Sequence, residues 1–119
     1  MTLPDRLPIL AAPDDRPWSP HPRDAGVQMQ TLTTRDLTPA ASIHHVQIDV
    51  GREIAPHTHD IQIETFYVIS GRGEGLVGEE RRTMEPGAWA SVPPGVVHAL
   101  RNTGDEPLEL LAIFTPPLF

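Results

Sequence analysis

Residues 57–64 read HTHDIQIE: two histidines flank a threonine, and a glutamate follows five positions after the second. Imidazole nitrogens and carboxylate oxygens are donors for a divalent metal. An ion so held can polarise a carbonyl or enolate oxygen, or bring O₂ to a substrate. On a strand, residues i and i+2 share a face, about 6.5–7 Å apart, so His57 and His59 project together. Glu64 lies an odd number of residues after His59, and a straight strand would turn it away. It joins the histidines only if the chain bends or reverses through residues 60–63, DIQI. The strand ETFYVIS would then place Glu64, Phe66 and Val68 on one face and Tyr67 and Ile69 on the other. An H-x-H pair alone is a weak signal, since such histidines more often sit on a surface or in a satisfied core.

The elements that must position these residues read as strands. VQMQTLT, ASIHHVQIDV, ETFYVIS, EGLV, RRTM, AWASV, VVHALRN and LELLAIFT are rich in β-branched or aromatic residues, and several alternate. Between them stand GREIAPH, SGRGEG, VGEER, EPG, PPG and NTGDEP, turn signals spaced as in an all-β sandwich or barrel. No stretch carries a long apolar helical period with caps. Residues 1–25 carry Pro4, Pro8, Pro13, Pro17, Pro20 and Pro22 and read as an extended, proline-rich N-terminal arm. The arm is either a disordered tail or a segment docking Ile9, Leu10 and Trp18 on the body or on a second subunit. Residues 26–119 are expected to form one domain.

The longer segment GREIAPHTHDIQIETFYVISG has Gly51, five residues, His57, one, His59, four, Glu64, six, Gly71. After fifteen residues, GAWASVPPGVVHALRN has Gly87, five, Pro93, one, Gly95, two, His98, three, Asn102. These segments resemble the paired motifs of the cupin superfamily, in its small single-domain bacterial form, with every fixed position present. The resemblance covers residues 51–102 directly and is expected to extend over 27–116. It implies a double-stranded β-helix, the jelly-roll cupin barrel, and metal ligands at His57, His59, Glu64 and His98. Asn102 is expected to be structural, closing the turn at NTGDEP.

Three imidazoles and a carboxylate suit one divalent transition-metal ion, Fe(II), Mn(II), Zn(II), Ni(II) or Cu(II), and do not choose among them. An octahedral ion would keep two positions open for a small-molecule substrate, or for substrate and O₂. A dioxygenase-type reaction on a small oxygenated compound is slightly favoured over isomerase, lyase or decarboxylase chemistry. The alternative is a non-catalytic small-molecule binder. Weak candidates for proton transfer are His45 and Tyr67, with His44 and Glu53 behind them. His44 and His45 are adjacent on a strand, so they face opposite sides. Gln47 and Gln62 could orient a ligand. Phe66, Trp89, Leu100 and Phe114 could line a pocket but suit ordinary core better. Arg52, Arg81, Arg82 and Arg101 read as solvated surface, and His21 in the arm is not expected to be a ligand.

The 119 residues carry a formal charge of −7 and no cysteine. That charge disfavours nucleic acid, and the missing cysteine excludes thiolate ligands and disulfides. No apolar run is long enough to span a membrane, and the N-terminus lacks the pattern of a signal peptide. The expectation is therefore a cytoplasmic protein with no membrane or nucleic-acid partner, and the resemblance to small cupins, which commonly pair, together with the arm carrying Trp18, implies a homodimer.

Overall fold

The alternation from Val27 onward is realised as antiparallel strands; the structure, a computed structural model, describes residues 3–119. A 3-10 turn at Pro13–Asp15 precedes β1 (Trp18–Pro20), β2 (Val27–Thr33), β3 (Ser42–Ile48), β4 (Glu53–His57) and β5 (Ile63–Ser70). Then come β6 (Gly73–Val77), β7 (Glu80–Met84), β8 (Trp89–Val92), β9 (His98–Asn102) and β10 (Leu108–Thr115). One sheet has the order β1-β2-β3-β10-β5-β8 and the other β4-β9-β6-β7. Their facing sides enclose the core, as in a double-sheet jelly roll. No helix among the described residues is long and apolar enough to cross a membrane.

Period-two patterning sets which side chains meet inside. On β3, Ser42, His44, Val46 and Ile48 face inward while Ile43, His45 and Gln47 face out. On β10, Leu108, Leu110, Ala112 and Phe114 face inward. On β5, Glu64, Phe66 and Val68 are buried and Tyr67 and Ile69 are exposed. With Val27, Met29, Met84, Val92 and Leu100 these apolar side chains form one continuous core. Its loss of contact with water is the main favourable contribution to the fold.

Two strands were not expected from sequence, and proline explains both. β4 contains Pro56 and follows Gly51, and it read as a connection. It is an edge strand, and its pairing with β9 slips register between Ile54 and His57, where a residue without an N–H costs little. β1 ends in Pro20 and is the edge strand of the larger sheet, with Trp18, Ser19 and Pro20 paired to Gln30, Met29 and Gln28. The arm is therefore docked on its own chain. The Trp18 ring packs edge-on against His45 at 4.8 Å, and the Gln30 amide donates to the carbonyls of Pro13 (2.6 Å) and Arg16 (3.0 Å). Ile9 is half-buried, but Leu10 is 97% exposed and does not dock on its own chain.

Two motif positions are structural. Gly71 has φ +86°, and a Cβ there would lie 2.6 Å from the Pro107 carbonyl oxygen and 2.8 Å from the Leu108 Cα. Conformation and space both demand glycine where the chain leaves β5. Asn102 is buried, with its amide N–H groups on the carbonyls of Ile48 and Glu106 and its oxygen accepting from the Gly104 N–H. It closes the NTGDEP turn.

His44 is fully buried, beside Phe114 and Phe119, with Nδ1 3.1 Å from the Thr31 hydroxyl. Burial pushes its imidazole down from 6.5 to about 4, against the opposing pull of the Glu64 charge. Between those two values the unfolded chain takes up a proton that the folded protein refuses. The stability this confers is therefore complete above pH 6.5 and lost progressively as pH falls towards 4. The expected loss is on the order of 2 kcal/mol. Urea unfolding at pH 7.5 and pH 4.5 checks this, with His44→Gln expected to show a flatter profile than the unsubstituted chain.

Candidate metal centre

His57 ends β4 and is the cross-strand partner of His98, which begins β9. The smaller sheet thus sets the two imidazoles side by side, with ring centroids 4.2 Å apart. After His57 the chain leaves that sheet and crosses to β5 in the other. His59 lies in the crossing, where its carbonyl accepts the Gly95 N–H at 2.8 Å. That bond ties the first motif to the PPG turn of the second. Glu64 points inward from β5, on the opposite wall. The parity obstacle disappears because His57 and His98 stand on one sheet, Glu64 on the other and His59 in the crossing between them.

Glu64 Oε1 lies 2.9 Å from His98 Nε2, 3.1 Å from His59 Nε2 and 4.0 Å from His57 Nε2. One donor atom from each of the four residues falls within 4.8 Å of the others. The outer nitrogens are anchored: His57 Nδ1–H donates to the Ala55 carbonyl at 2.8 Å and His98 Nδ1–H to the Val96 carbonyl at 3.0 Å. Neutral imidazoles held this way turn their Nε2 lone pairs toward the centre. Lone pairs facing a carboxylate repel, and positive charge between them relieves the conflict.

The proton affinities show the same demand. Burial works to raise Glu64, but hydrogen bonds with His59 and His98 outweigh it and hold the carboxyl down at about 2. Burial works to lower His98, yet the Glu64 hydrogen bond and the Val96 carbonyl carry it above the usual histidine value. His57 is lowered, chiefly by burial, with the charges of His98 and Arg23 adding to the effect. Donor types, spacing and fixed tautomers fit one metal ion, and the cluster could hold it.

The cluster opens into a cavity of about 280 Å³ lined by His57, His59 and Glu64 together with His21, Arg23, Met29, Val46, Leu110, Phe114 and Phe119, among others. Phe114 packs edge-on against His59 at 5.2 Å. The C-terminal segment is held over this wall. The Leu118 N–H donates to the Ser42 hydroxyl, and Arg35 donates to the carbonyls of Leu118 and Phe119.

The structure brings His57, His59, Glu64 and His98 together and leaves the proton-transfer candidates outside. His45 is on the outer face of β3, 3.2 Å from Glu109 and under Trp18. The inward member of the pair is His44, walled off behind Phe114 and Phe119. Tyr67 is 48% exposed on the outer face of β5, and Glu53 is exposed on β4. Gln47 faces outward, and the Gln62 amide donates to the Pro117 carbonyl at 3.4 Å rather than to a cluster residue. Phe66 and Leu100 are core and border a small recess shared with His57, Glu64 and His98, and Phe114 is both core and wall of the larger cavity. Trp89 belongs neither to the core nor to the cavity at the cluster, being 65% exposed opposite Tyr67 across the β5–β8 pair. Arg52, Arg81, Arg82 and Arg101 are exposed as expected.

His21 and Arg23 were missed as cavity residues. They follow β1, and nothing in SPHPR itself shows that the edge strand delivers the next turn to the barrel mouth. The signal that existed was Trp18, whose docking fixes where that turn must go.

A family model described as a cupin domain matches residues 44–114. Among curated proteins, an uncharacterized protein of Aquifex aeolicus is 43% identical over 61 residues, 51% of this chain and 50% of that protein. The chain therefore spans half the length of that relative. An uncharacterized protein of Streptomyces coelicolor is 31% identical over 94 residues, 77% of this chain and 82% of the other. Among solved structures, KdgF from Halomonas sp. superposes with a TM-score of 0.78 at 22% identity, covering 88% of this chain and 90% of that one. That is a likeness of fold.

Proposed function

The chain belongs to the cupin domain family, and from that premise we propose that it is a metal-dependent enzyme acting on a small oxygenated organic molecule. His57, His59, Glu64 and His98 hold one divalent transition-metal ion. The observation that carries this reading is the convergence of four donors within 4.8 Å of one another, three of which, His57, His59 and Glu64, line a cavity of about 280 Å³. A purely structural metal would need no such space beside it.

Such an ion supplies Lewis acidity toward a carbonyl or enolate oxygen and, if redox-active, electrons for O₂. The protein does the rest. The Ala55 and Val96 carbonyls fix the His57 and His98 tautomers, Glu64 contributes negative charge, and Met29, Val46, Leu110 and Phe114 exclude water. We favour a dioxygenase-type reaction, because imidazole and carboxylate donors without thiolate suit redox iron. Isomerase, lyase or decarboxylase chemistry would use the same site without O₂.

One observation favours the competing reading, a non-catalytic small-molecule binder. His45, Tyr67 and Glu53 lie outside the cavity, and His21 is the one titratable imidazole in the cavity wall beyond the cluster. The deciding experiment reconstitutes the protein with Fe(II), Mn(II), Zn(II), Ni(II) or Cu(II). O₂ uptake and product formation are then followed against diols, diketones and phenols. Metal-dependent turnover with O₂ consumption is expected. Tight metal and ligand binding without turnover under any metal would assign the binder role instead.

A further inference from the structure

The lining of the cavity carries positive as well as negative charge. It includes one arginine, Arg23, and otherwise no permanently charged cation. Arg23 makes no ion pair among the described residues, whereas Arg81 and Arg82 are paired with Glu74 and Glu80 on the surface. The turn carrying Arg23 is built. Its stem is the β1–β2 ladder, closed by the His21 N–H donating to the Val27 carbonyl at 2.8 Å. Inside the turn, His21 Nδ1 accepts the N–H groups of Arg23 and Asp24, both at 3.1 Å. Two backbone donors on Nδ1 leave the neutral ring's proton on Nε2. The remaining wall is largely apolar, with Met29, Val46, Leu110 and Phe114.

A guanidinium with no carboxylate of its own, set at the edge of an apolar cavity, is suited to a planar anion taken through two parallel N–H···O bonds. The cavity would hold about nine waters at roughly 30 Å³ each, the size of a small organic acid. We propose that Arg23, positioned by the His21 turn, recognises the carboxylate of a small organic acid whose other end reaches the His57–His59–Glu64–His98 cluster. This names the substrate class for the site and rests on the preceding functional reading only for what the acid's far end meets.

The test uses acid and amide pairs of one carbon skeleton: lactate and lactamide, benzoate and benzamide, mandelate and mandelamide. Calorimetric titration is run on the full chain, metal-free and loaded with Zn(II), for the unsubstituted protein, Arg23→Gln and the surface control Arg81→Gln. Metal content is measured for each. Charge-assisted bonds of this kind correspond to a preference of roughly ten- to hundredfold. The unsubstituted protein and Arg81→Gln are expected to prefer at least one acid over its amide by that factor, with and without metal. Arg23→Gln should lose the preference while retaining amide binding and metal stoichiometry. If the preference survives in Arg23→Gln, with or without metal, another group reads the charge and the proposal is overturned; loss of the preference on metal removal alone, in the unsubstituted protein, assigns the reading to the ion and likewise overturns it. Equal or absent binding of acid and amide in every pair overturns it too. If the chain takes up no metal, the metal-site reading fails, and the metal-free titrations still decide the role of Arg23.

Discussion

His98→Ala is expected to weaken divalent-metal binding by about a hundredfold or more. His98 joins the two sheets at the cluster, with Nε2 2.9 Å from Glu64 and Nδ1–H committed to Val96. Alanine removes a donor whose tautomer the backbone has already set, and no neighbour can replace it. The readout is thermal stabilisation. Metal at a hundredfold excess over its dissociation constant adds about 2.7 kcal/mol to unfolding, a Tm increase on the order of 10 °C for a chain this size. The unsubstituted protein should show that rise, and the variant almost none at the same concentration. The variant will also be less stable without metal, because Glu64 loses a buried partner. The metal-induced difference is therefore the quantity to compare.

Asn102→Asp is expected to destabilise the fold by about 3 kcal/mol or more, with little change in cavity shape. The two side chains are isosteric, but the nitrogen that donates to Ile48 (3.0 Å) and Glu106 (2.8 Å) becomes an oxygen facing two carbonyl oxygens. Two hydrogen bonds are lost and a buried carboxylate is left against acceptors, each a contribution of about 1–3 kcal/mol. The site raises the aspartate's pKa in the folded state above its unfolded value. The deficit relative to the unsubstituted chain should therefore be largest at neutral pH and shrink as pH falls toward about 4, where a protonated carboxyl can donate again. Urea unfolding at pH 7 and pH 4.5 measures both the deficit and its trend.

The sandwich and its inward faces were legible because period-two patterning is a direct consequence of strand geometry. ETFYVIS buried Glu64, Phe66 and Val68 as read. The four cluster residues were legible through the resemblance to the paired cupin motifs, whereas the residues alone left Glu64 open and did not say that His59 would stand in a crossing between sheets. What escaped was decided by tertiary placement. Pro56 and Pro20 hid two edge strands, since local sequence does not tell an edge from a turn. The choice between His44 and His45 depended on which side of β3 meets the other sheet. Trp89 is exposed although its size suits a core, because it falls on the outer face of an edge strand. Arg23 and His21 reach the cavity only because β1 pairs with β2, a contact that residues 20–24 do not encode.

The central claim is that one ion is shared by residues from both sheets. Anomalous diffraction from crystals soaked in Zn(II), recorded on both sides of the zinc absorption edge, addresses it directly. The account predicts a single strong anomalous peak within bonding distance, about 2.0–2.2 Å, of Nε2 of His57, His59 and His98 and of a Glu64 carboxylate oxygen. No peak at that point, or zinc held only by surface carboxylates while Glu64 keeps its hydrogen bonds to His59 and His98, would contradict it.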